Sequence, residues 1–236
     1  MAIKTSTVSI EAVDGAGAFN AYVAMPESAT GPAVVVVQEI FGVNANMRSV
    51  AEWFAQEGFV AVVPDLFWRL EPGVELGYVD PDRTKAYDLM GRFDVASGIA
   101  DIQTAINYAR ALPASNGKAG VVGYCLGGKM AYLSGCHTDA DAAVGYYGVG
   151  LEHLLDRASH IQHPVMLHIA EEDMLCPEPA REAILQGLRE HPQVACHVYA
   201  GVGHAFARVK GDHYDAAAAD QANSRTLALL RDALAA

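Results

Sequence analysis

Cysteine is scarce in this sequence of 236 residues. The chain has only four cysteines, and no two of them show Cys-x-x-Cys spacing. This pattern predicts neither a disulfide framework nor a structural zinc site, so we expect reduced thiols and no bound metal. Basic residues are few as well, since 16 lysines and arginines face 28 acidic residues for a formal net charge of −12. A surface of that charge repels phosphate backbones and anionic lipids, so we expect neither nucleic acid nor a membrane as a partner.

Long apolar runs are also missing. No stretch approaches the roughly 20 apolar residues of a membrane span, and residues 1–11 lack the basic flank and apolar centre of a secretory signal. The expected compartment is therefore the cytoplasm. No internal repeat or linker divides the chain, and its length and 52% hydrophobic content suit one α/β domain over residues 1–236. A monomer is the default expectation.

Apolar segments alternate with helical patterns along the chain. After an antiparallel hairpin around Asp14-Gly15, the alternation predicts a mostly parallel central sheet with helices on both faces. Asn46 is predicted to precede the first helix, and residues 66–81 read as a long loop of the kind that serves as a lid or binding loop. The predicted strands are 5–11, 19–24, 33–37, 59–63, a run ending at 121–122, 142–146, 164–170 and 194–199. The predicted helices are 47–57, 82–92, one that Asp94 caps and that runs through 109 and ends before Pro113, one that begins after Cys125 and contains Cys136, 178–189 and 216–234.

Residues 119–130 contain a Gly-x-Cys-x-Gly turn between a predicted strand and a predicted helix. A strand that reverses sharply into a helix forms a nucleophile elbow, in which the central residue is strained and its flanking glycines avoid collisions. Cys125 occupies that central position. A cysteine is often only a small buried apolar residue, but this context favours a nucleophile.

Four chemically able side chains follow predicted strands: Glu39, Cys125, Asp173 and His204. The carboxyl ends of parallel strands meet at one edge of the sheet, where ligands bind. An imidazole that accepts the thiol proton, oriented by a carboxylate, converts a cysteine into a thiolate nucleophile. The order Cys125, Asp173, His204 is that of the α/β-hydrolase triad. The alternative for Asp173 is an ordinary loop or capping residue, and the alternative for Glu39 is a solvated loop carboxylate.

An acyl-transfer site also needs donors for a developing oxyanion. The elbow supplies the backbone N–H of Leu126, and the loop after the first parallel strand supplies a second donor near Ile40. In an acidic protein the few cations stand out, and Arg208 lies four residues after His204. A guanidinium there would bind a substrate carboxylate in bidentate fashion.

Several sequence motifs resemble the dienelactone hydrolase family over nearly the whole length of the chain. The resemblance implies an α/β-hydrolase fold and an enzyme that opens the enol-lactone ring of dienelactone to maleylacetate, in the degradation of chlorinated catechols, without a cofactor. The motifs are Gln38-Glu39-Ile40-Phe41-Gly42-Val43-Asn44, Pro64-Asp65-Leu66, Ser115-Asn116-Gly117-Lys118, Val122-Gly123-Tyr124-Cys125-Leu126-Gly127-Gly128, Val144-Gly145-Tyr146-Tyr147-Gly148-Val149-Gly150 and Gly203-His204-Ala205-Phe206-Ala207-Arg208.

The resemblance also implies roles for individual residues. It makes Cys125 the nucleophile, His204 the base and acid, and Asp173 its orienting partner, with the amides of Leu126 and Ile40 as the oxyanion hole. Arg83 and Arg208 match the carboxylate-binding arginines of the family, and Tyr87 matches a neighbouring substrate contact. Glu39 corresponds to a glutamate that holds the proton balance of the thiol until the substrate carboxylate engages an arginine.

The chain departs from close relatives at two positions. Met90 stands where they have tryptophan and Ala205 where they have serine, which leaves the exact substrate open. A broader carboxylesterase or thioesterase with the same triad is therefore the alternative within enzymes. A hydrolase-fold binding protein without turnover is the alternative from a different class.

Overall fold

A computed structural model describes residues 1–235, which divide into two compact units, residues 1–121 and 122–235. The eight strands and the helices around them confirm the predicted α/β class, with a mostly parallel sheet and an N-terminal antiparallel hairpin. The assignment of residues 1–236 to a single domain stays a prediction.

The first unit holds the hairpin and the first parallel strands. Its strands lie in the order β1-β2-β4-β3-β5, with β1/β2 and β2/β4 antiparallel and β3/β4 parallel. Every residue of β4 is buried, as expected for a strand that is covered on both faces. The elements are β1 (Ile3–Glu11), β2 (Ala18–Pro26), β3 (Gly31–Val37), α1 (Ala45–Gln56), β4 (Val60–Pro64), α2 (Asp82–Arg92), α3 (Val95–Ala111) and β5 (Ser115–Tyr124), whose last residues, 122–124, belong to the second unit.

The start of α1 corrects one prediction. The N-cap is Asn44, whose side chain accepts a hydrogen bond from the Met47 N–H, and Asn46 lies inside the first turn. Both residues are asparagine, a good N-cap, so local sequence could not decide between them. The predicted cap of α3 is confirmed, since Asp94 accepts a hydrogen bond from the Ser97 N–H at 2.7 Å.

The second unit continues from the end of β5 with strands in the order β5-β6-β7-β8, in which β6/β7 and β7/β8 are parallel. Its elements are α4 (Leu126–His137), β6 (Ala142–Tyr146), β7 (Val165–Ala170), α5 (Glu178–Leu188), β8 (Val194–Tyr199) and α6 (Ala216–Ala233). Two 3₁₀ helices, Leu151–His153 and Leu155–His160, were not predicted, because such short elements carry no clear hydrophobic period.

A buried polar network ties α6 to β6 and β7. The Tyr146 hydroxyl contacts Thr226 Oγ1 at 2.6 Å and donates to Asn223 Oδ1 at 3.0 Å. The ring of His168 contacts Thr226 Oγ1 at 2.9 Å and the Tyr199 hydroxyl at 2.8 Å. Burial lowers the pKa of His168 well below its usual value, so this ring is neutral and structural.

Among residues 1–235, no helix has the length and apolar character that crossing a membrane requires.

Candidate active site

Cys125 lies between β5 and α4 in the predicted strand-turn-helix arrangement. Its backbone has φ 59° and ψ −114°, a conformation that costs a non-glycine residue on the order of 1–3 kcal/mol. A Cβ on Gly123 would lie 1.8 Å from the Gly127 carbonyl oxygen, so position 123 has to be glycine. The strained, buried thiol therefore sits at the turn of a nucleophile elbow.

The end of β6 holds this elbow in place. The Cys125 N–H donates to the Tyr146 carbonyl oxygen at 3.0 Å. A Cβ on Gly128 would meet the same oxygen at 2.5 Å and the Gly148 Cα at 2.9 Å, so α4 contacts β6 backbone to backbone. Tyr146, whose hydroxyl is fixed by α6, thus also fixes the backbone of Cys125.

The predicted His–Asp pair is present in the second unit. His204 follows β8 and Asp173 follows β7, and His204 Nδ1 lies 2.8 Å from Asp173 Oδ2. The Asp173 side chain is 1% exposed, and its other oxygen accepts a hydrogen bond from the Leu175 N–H at 2.8 Å. Both carboxylate oxygens of Asp173 therefore have a hydrogen-bond partner. An ordinary loop or capping residue would be exposed to solvent, so this burial does not fit that alternative.

The ionisation of His204 reflects both neighbours. Burial would lower the pKa of the imidazole, but hydrogen bonds with Asp173 and Cys125, and the negative charge of both side chains, raise it to about 10. Cys125, His204 and Asp173 are therefore brought together as a connected set.

The other three cysteines lie outside the elbow. Burial raises the pKa of Cys136, Cys176 and Cys196 to about 11. Their thiols stay protonated at neutral pH, so they are poor nucleophiles.

The remaining predicted residues of this unit flank the triad in sequence. Leu126 is the first residue of α4, where a backbone N–H has no acceptor within its own helix. Arg208 is half-buried in a tight turn in which its N–H donates to the Ala205 carbonyl oxygen at 2.9 Å. Ala205 itself has φ 66°, a left-handed backbone conformation that is strained for a residue other than glycine.

Tyr147 is a site residue that sequence reasoning missed. Its ring packs edge-on against the His204 ring, with the centroids 5.1 Å apart, and its backbone has φ 39°. It directly follows β6, as the other site residues of this unit follow their strands, but a tyrosine at such a position carries no chemical signal by itself. The phenol limits the directions that the imidazole can take.

In the first unit, Glu39 and Ile40 follow β3 and are 2% and 4% exposed. A solvated loop carboxylate at position 39 is therefore excluded. Arg83 and Tyr87 lie one turn apart on α2 and are exposed. Arg83 Nη2 donates to Asp80 Oδ2 at 2.7 Å, so a ligand carboxylate would have to compete with this internal partner.

A cavity of about 120 Å³ in the first unit contains none of the predicted site residues. Its lining residues are Thr7, Asn20, Ala21, Tyr22, Val43, Arg48, Asp65, Gly73, Val74 and Glu75. Residues 1–235 contain no group of three or more His, Cys, Asp or Glu side chains arranged to hold a metal ion.

Comparison with known proteins bears directly on this arrangement. The profile of the dienelactone hydrolase family matches residues 19–234. The chain belongs to the dienelactone hydrolase family. Within that family it is similar to a carboxymethylenebutenolidase of Pseudomonas putida, with 44% identity over 227 residues that cover 96% of each chain. It is also similar to carboxymethylenebutenolidase 1 of Cupriavidus pinatubonensis, with 42% identity over 91% of this chain and 92% of the relative.

A solved structure of the family shows the same fold. A protein of Klebsiella pneumoniae subsp. pneumoniae MGH 78578, provisionally named a dienelactone hydrolase, superposes with a TM-score of 0.86 at 29% identity, covering 97% of this chain and 98% of that one. As a member of the dienelactone hydrolase family, the chain is a hydrolase of small lactones or esters.

Proposed function

We propose that this protein opens the enol-lactone ring of dienelactone to maleylacetate, with Cys125 as the nucleophile, in the degradation of chlorinated catechols. The observation that carries the proposal is the strained Cys125 elbow joined to an imidazole that Asp173 holds at 2.8 Å. The names of the relatives that are 42–44% identical support the lactone as substrate.

In the first half-reaction the Cys125 thiolate attacks the lactone carbonyl carbon. The carbonyl oxygen becomes negative and accepts hydrogen bonds from the N–H groups of Leu126 and Ile40, with the N-terminal dipole of α4 favouring the charge. The ring C–O bond then breaks, and the His204 imidazolium donates its proton to the leaving enol oxygen. The product of this step is an acyl thioester that carries an enol.

In the second half-reaction His204, now neutral, accepts a proton from water as the water oxygen bonds to the thioester carbon. The C–S bond breaks, Cys125 leaves as a thiolate and the imidazolium is regenerated. Tautomerisation of the released enol gives the ketone of maleylacetate. One water is consumed, and no redox step or cofactor is needed.

The residues of the first unit complete the proposal. In the free enzyme Glu39 would keep the proton on the Cys125 thiol. When the substrate carboxylate engages Arg83 and Arg208, with Tyr87 beside it, Glu39 gives way and the thiol proton passes to His204, which leaves the thiolate and the imidazolium that react. Such control protects the cysteine, since a permanent thiolate oxidises readily. Its test compares the rates at which iodoacetamide alkylates the parent protein and Glu39→Gln without substrate. A faster rate in the variant is expected, and an equal rate would contradict this role.

The nucleophile is tested with Cys125→Ala. We expect turnover of dienelactone to vanish, because the nucleophilic thiol is gone. The melting temperature should stay within a few degrees, because only the thiol group is removed and the backbone of the turn is unchanged. Cys196→Ala, on β8 outside the triad, is the matched control and should retain activity. Undiminished turnover by Cys125→Ala would overturn the mechanism.

The carboxylate clamp is tested with Arg208→Ala. The KM for carboxylated lactones should rise strongly, because a bidentate, charge-assisted interaction is lost. The KM for a neutral ester should change little. Equal effects on the two substrates would remove the clamp from the proposal.

We further propose that residues 1–236 act as one domain and as a monomer in the cytoplasm, on a small carboxylated lactone or ester, without nucleic acid, membrane or metal. The acidic charge of −12 argues against nucleic acid and membrane as partners, and the scarcity of cysteine argues against a structural metal site. Light scattering of the eluting protein and activity after treatment with a chelator are the tests. A dimer mass or a loss of activity would contradict the respective part.

A further inference from the structure

Residues 73–78, called the strap here, run along the loop that carries Ile40. The Val43 N–H donates to the Val74 carbonyl oxygen at 3.1 Å, and the Leu76 N–H donates to the Phe41 carbonyl oxygen at 2.9 Å. These bonds surround an antiparallel bridge between Gly42 and Glu75. The strap is therefore paired to the loop almost as a short strand would be.

The strap and the loop are in close contact at Gly42. Gly42 has φ +75°, and a Cβ there would lie 1.9 Å from the Val74 carbonyl oxygen. The rings of Phe41 and Tyr78 pack edge-on with centroids 4.6 Å apart. Residues 66–81 were predicted to form a lid or binding loop, but this portion is held against its neighbour.

Asn44 is the side chain in which these contacts converge. It is 7% exposed, and its Oδ1 accepts the Met47 N–H that begins α1. Its Nδ2 donates to the Leu76 carbonyl oxygen and to the Tyr78 hydroxyl, each at 3.1 Å. One amide thus connects a helix start, the oxyanion-loop segment and the strap.

The strap leads directly into α2, the helix that carries Arg83 and Tyr87. The Gly77 N–H donates to Asp82 Oδ2 at 2.6 Å, which joins the end of the strap to the first residue of that helix. The position of the strap therefore bears on Ile40 at one end and on the start of α2 at the other.

We infer that Asn44 is a positioning residue, which holds the oxyanion loop and the start of the carboxylate-binding helix in register through the strap. This inference rests on the proposed function, which gives Ile40 and Arg83 their roles. A helix cap uses only the side-chain acceptor, and serine or aspartate would supply it equally well. The donors of the amide serve no cap, and both of them go to the strap.

The test is Asn44→Ser, which retains a capping oxygen and deletes both bonds to the strap. Its matched control is Asp94→Ser, which makes the same kind of change at the N-cap of α3, away from the strap. We expect Asn44→Ser to lower kcat roughly ten- to a hundredfold on both dienelactone and a neutral chromogenic ester, because small displacements of catalytic groups cost about that much. The control should retain kcat within about twofold, although both variants lose similar small amounts of stability.

Hydrogen exchange supplies a readout that does not depend on turnover. The Leu76 amide should exchange faster in Asn44→Ser than in the parent protein, while it stays unchanged in Asp94→Ser. If Asn44→Ser folds poorly, Tyr78→Phe removes one acceptor of the same amide and should show the same pattern with a smaller loss. An unchanged kcat on the neutral ester in both variants would overturn the inference.

The two proposals fail in different ways. If the parent protein cleaves the neutral ester but not dienelactone, the proposed substrate is wrong, and the role of Asn44 is still decided on the ester. If dienelactone is turned over and Asn44→Ser matches its control in kcat and in exchange, only the role of Asn44 is wrong.

Discussion

Replacing Asp173 with asparagine should disable His204, the proposed base and acid, while leaving the protein folded. In the structure one oxygen of Asp173 accepts from the Leu175 N–H and the other faces His204 Nδ1. Asparagine has a single side-chain oxygen. If that oxygen stays with Leu175, the NH₂ group points at Nδ1, which must then be an acceptor, so the ring proton moves to Nε2. In that tautomer the imidazole cannot take the thiol proton.

The size of the effect follows from the ionisation of His204. A pKa raised from 6.5 to about 10 corresponds to roughly 5 kcal/mol in favour of the imidazolium, shared between Asp173 and Cys125. With the carboxylate gone and the tautomer reversed, we expect kcat to fall by roughly a thousandfold or more. The loss should be similar for dienelactone and for a neutral ester, because it concerns proton transfer and not carboxylate binding.

The same substitution predicts a pH dependence of stability. The His204 pKa is raised in the folded state, so its pairing stabilises the protein fully below about pH 6.5, and this contribution disappears as the pH rises through about 10. The difference in the free energy of unfolding between the parent and Asp173→Asn should therefore shrink between those pH values. Denaturant titrations at several pH values measure it.

Asp215→Asn is the matched control for this experiment. Asp215 caps α6 in the same unit, by accepting from the Ala218 N–H at 2.8 Å, and asparagine caps a helix as well as aspartate does. Its kcat and its pH–rate profile should equal those of the parent. If Asp173→Asn retains more than about a tenth of the parent kcat, or if its stability gap is constant with pH, the account of the triad is wrong.

Two further substitutions test the packing of the elbow and the internal partner of a predicted substrate contact. Gly128→Ala should destabilise the protein by about 3 kcal/mol or more in denaturant titrations, since the new Cβ would meet backbone at 2.5 Å. Gly91→Ala is the control: no atom lies within 4 Å of its new Cβ, so it should stabilise α2 by about 0.5–1 kcal/mol. Equal effects would contradict the backbone contact. Asp80→Asn should lower the KM for a carboxylated lactone roughly two- to fivefold, because it frees Arg83 from a competing carboxylate. The exposed ion pair of Asp88 on the same helix is the control, and Asp88→Asn should leave that KM unchanged.

Helices and strands were predictable where the apolar pattern agreed with the residues that begin and end such elements. The bounds of α2, β6 and β8 match the prediction residue for residue, because prolines, caps and apolar runs delimit them. The N-cap of α1 was misplaced by two residues. What favours Asn44 is the distant pairing of its amide with Leu76 and Tyr78, and contacts across more than 30 residues leave no local trace.

The proximity of the predicted site residues in the second unit could be expected from the sequence, but their geometry could not. Cys125, Asp173 and His204 follow β5, β7 and β8, and this order predicted a triad, since strand ends converge in a parallel sheet. Distances and burial are tertiary quantities, so the pKa of His204 and the pairing of Arg83 with Asp80 required coordinates. Tyr147 was missed because a tyrosine after a strand carries no chemical signal by itself.

The contact of Gly128 with the end of β6 also limits how this protein can change its substrates. A side chain at Gly123 or Gly128 would displace the backbone of Cys125. Beneficial substitutions at these two positions should therefore be almost absent from any selected population. The half-exposed turn around Arg208 carries no such restriction on most of its side chains. A library aimed at new lactones or esters should therefore keep Gly123 and Gly128 constant.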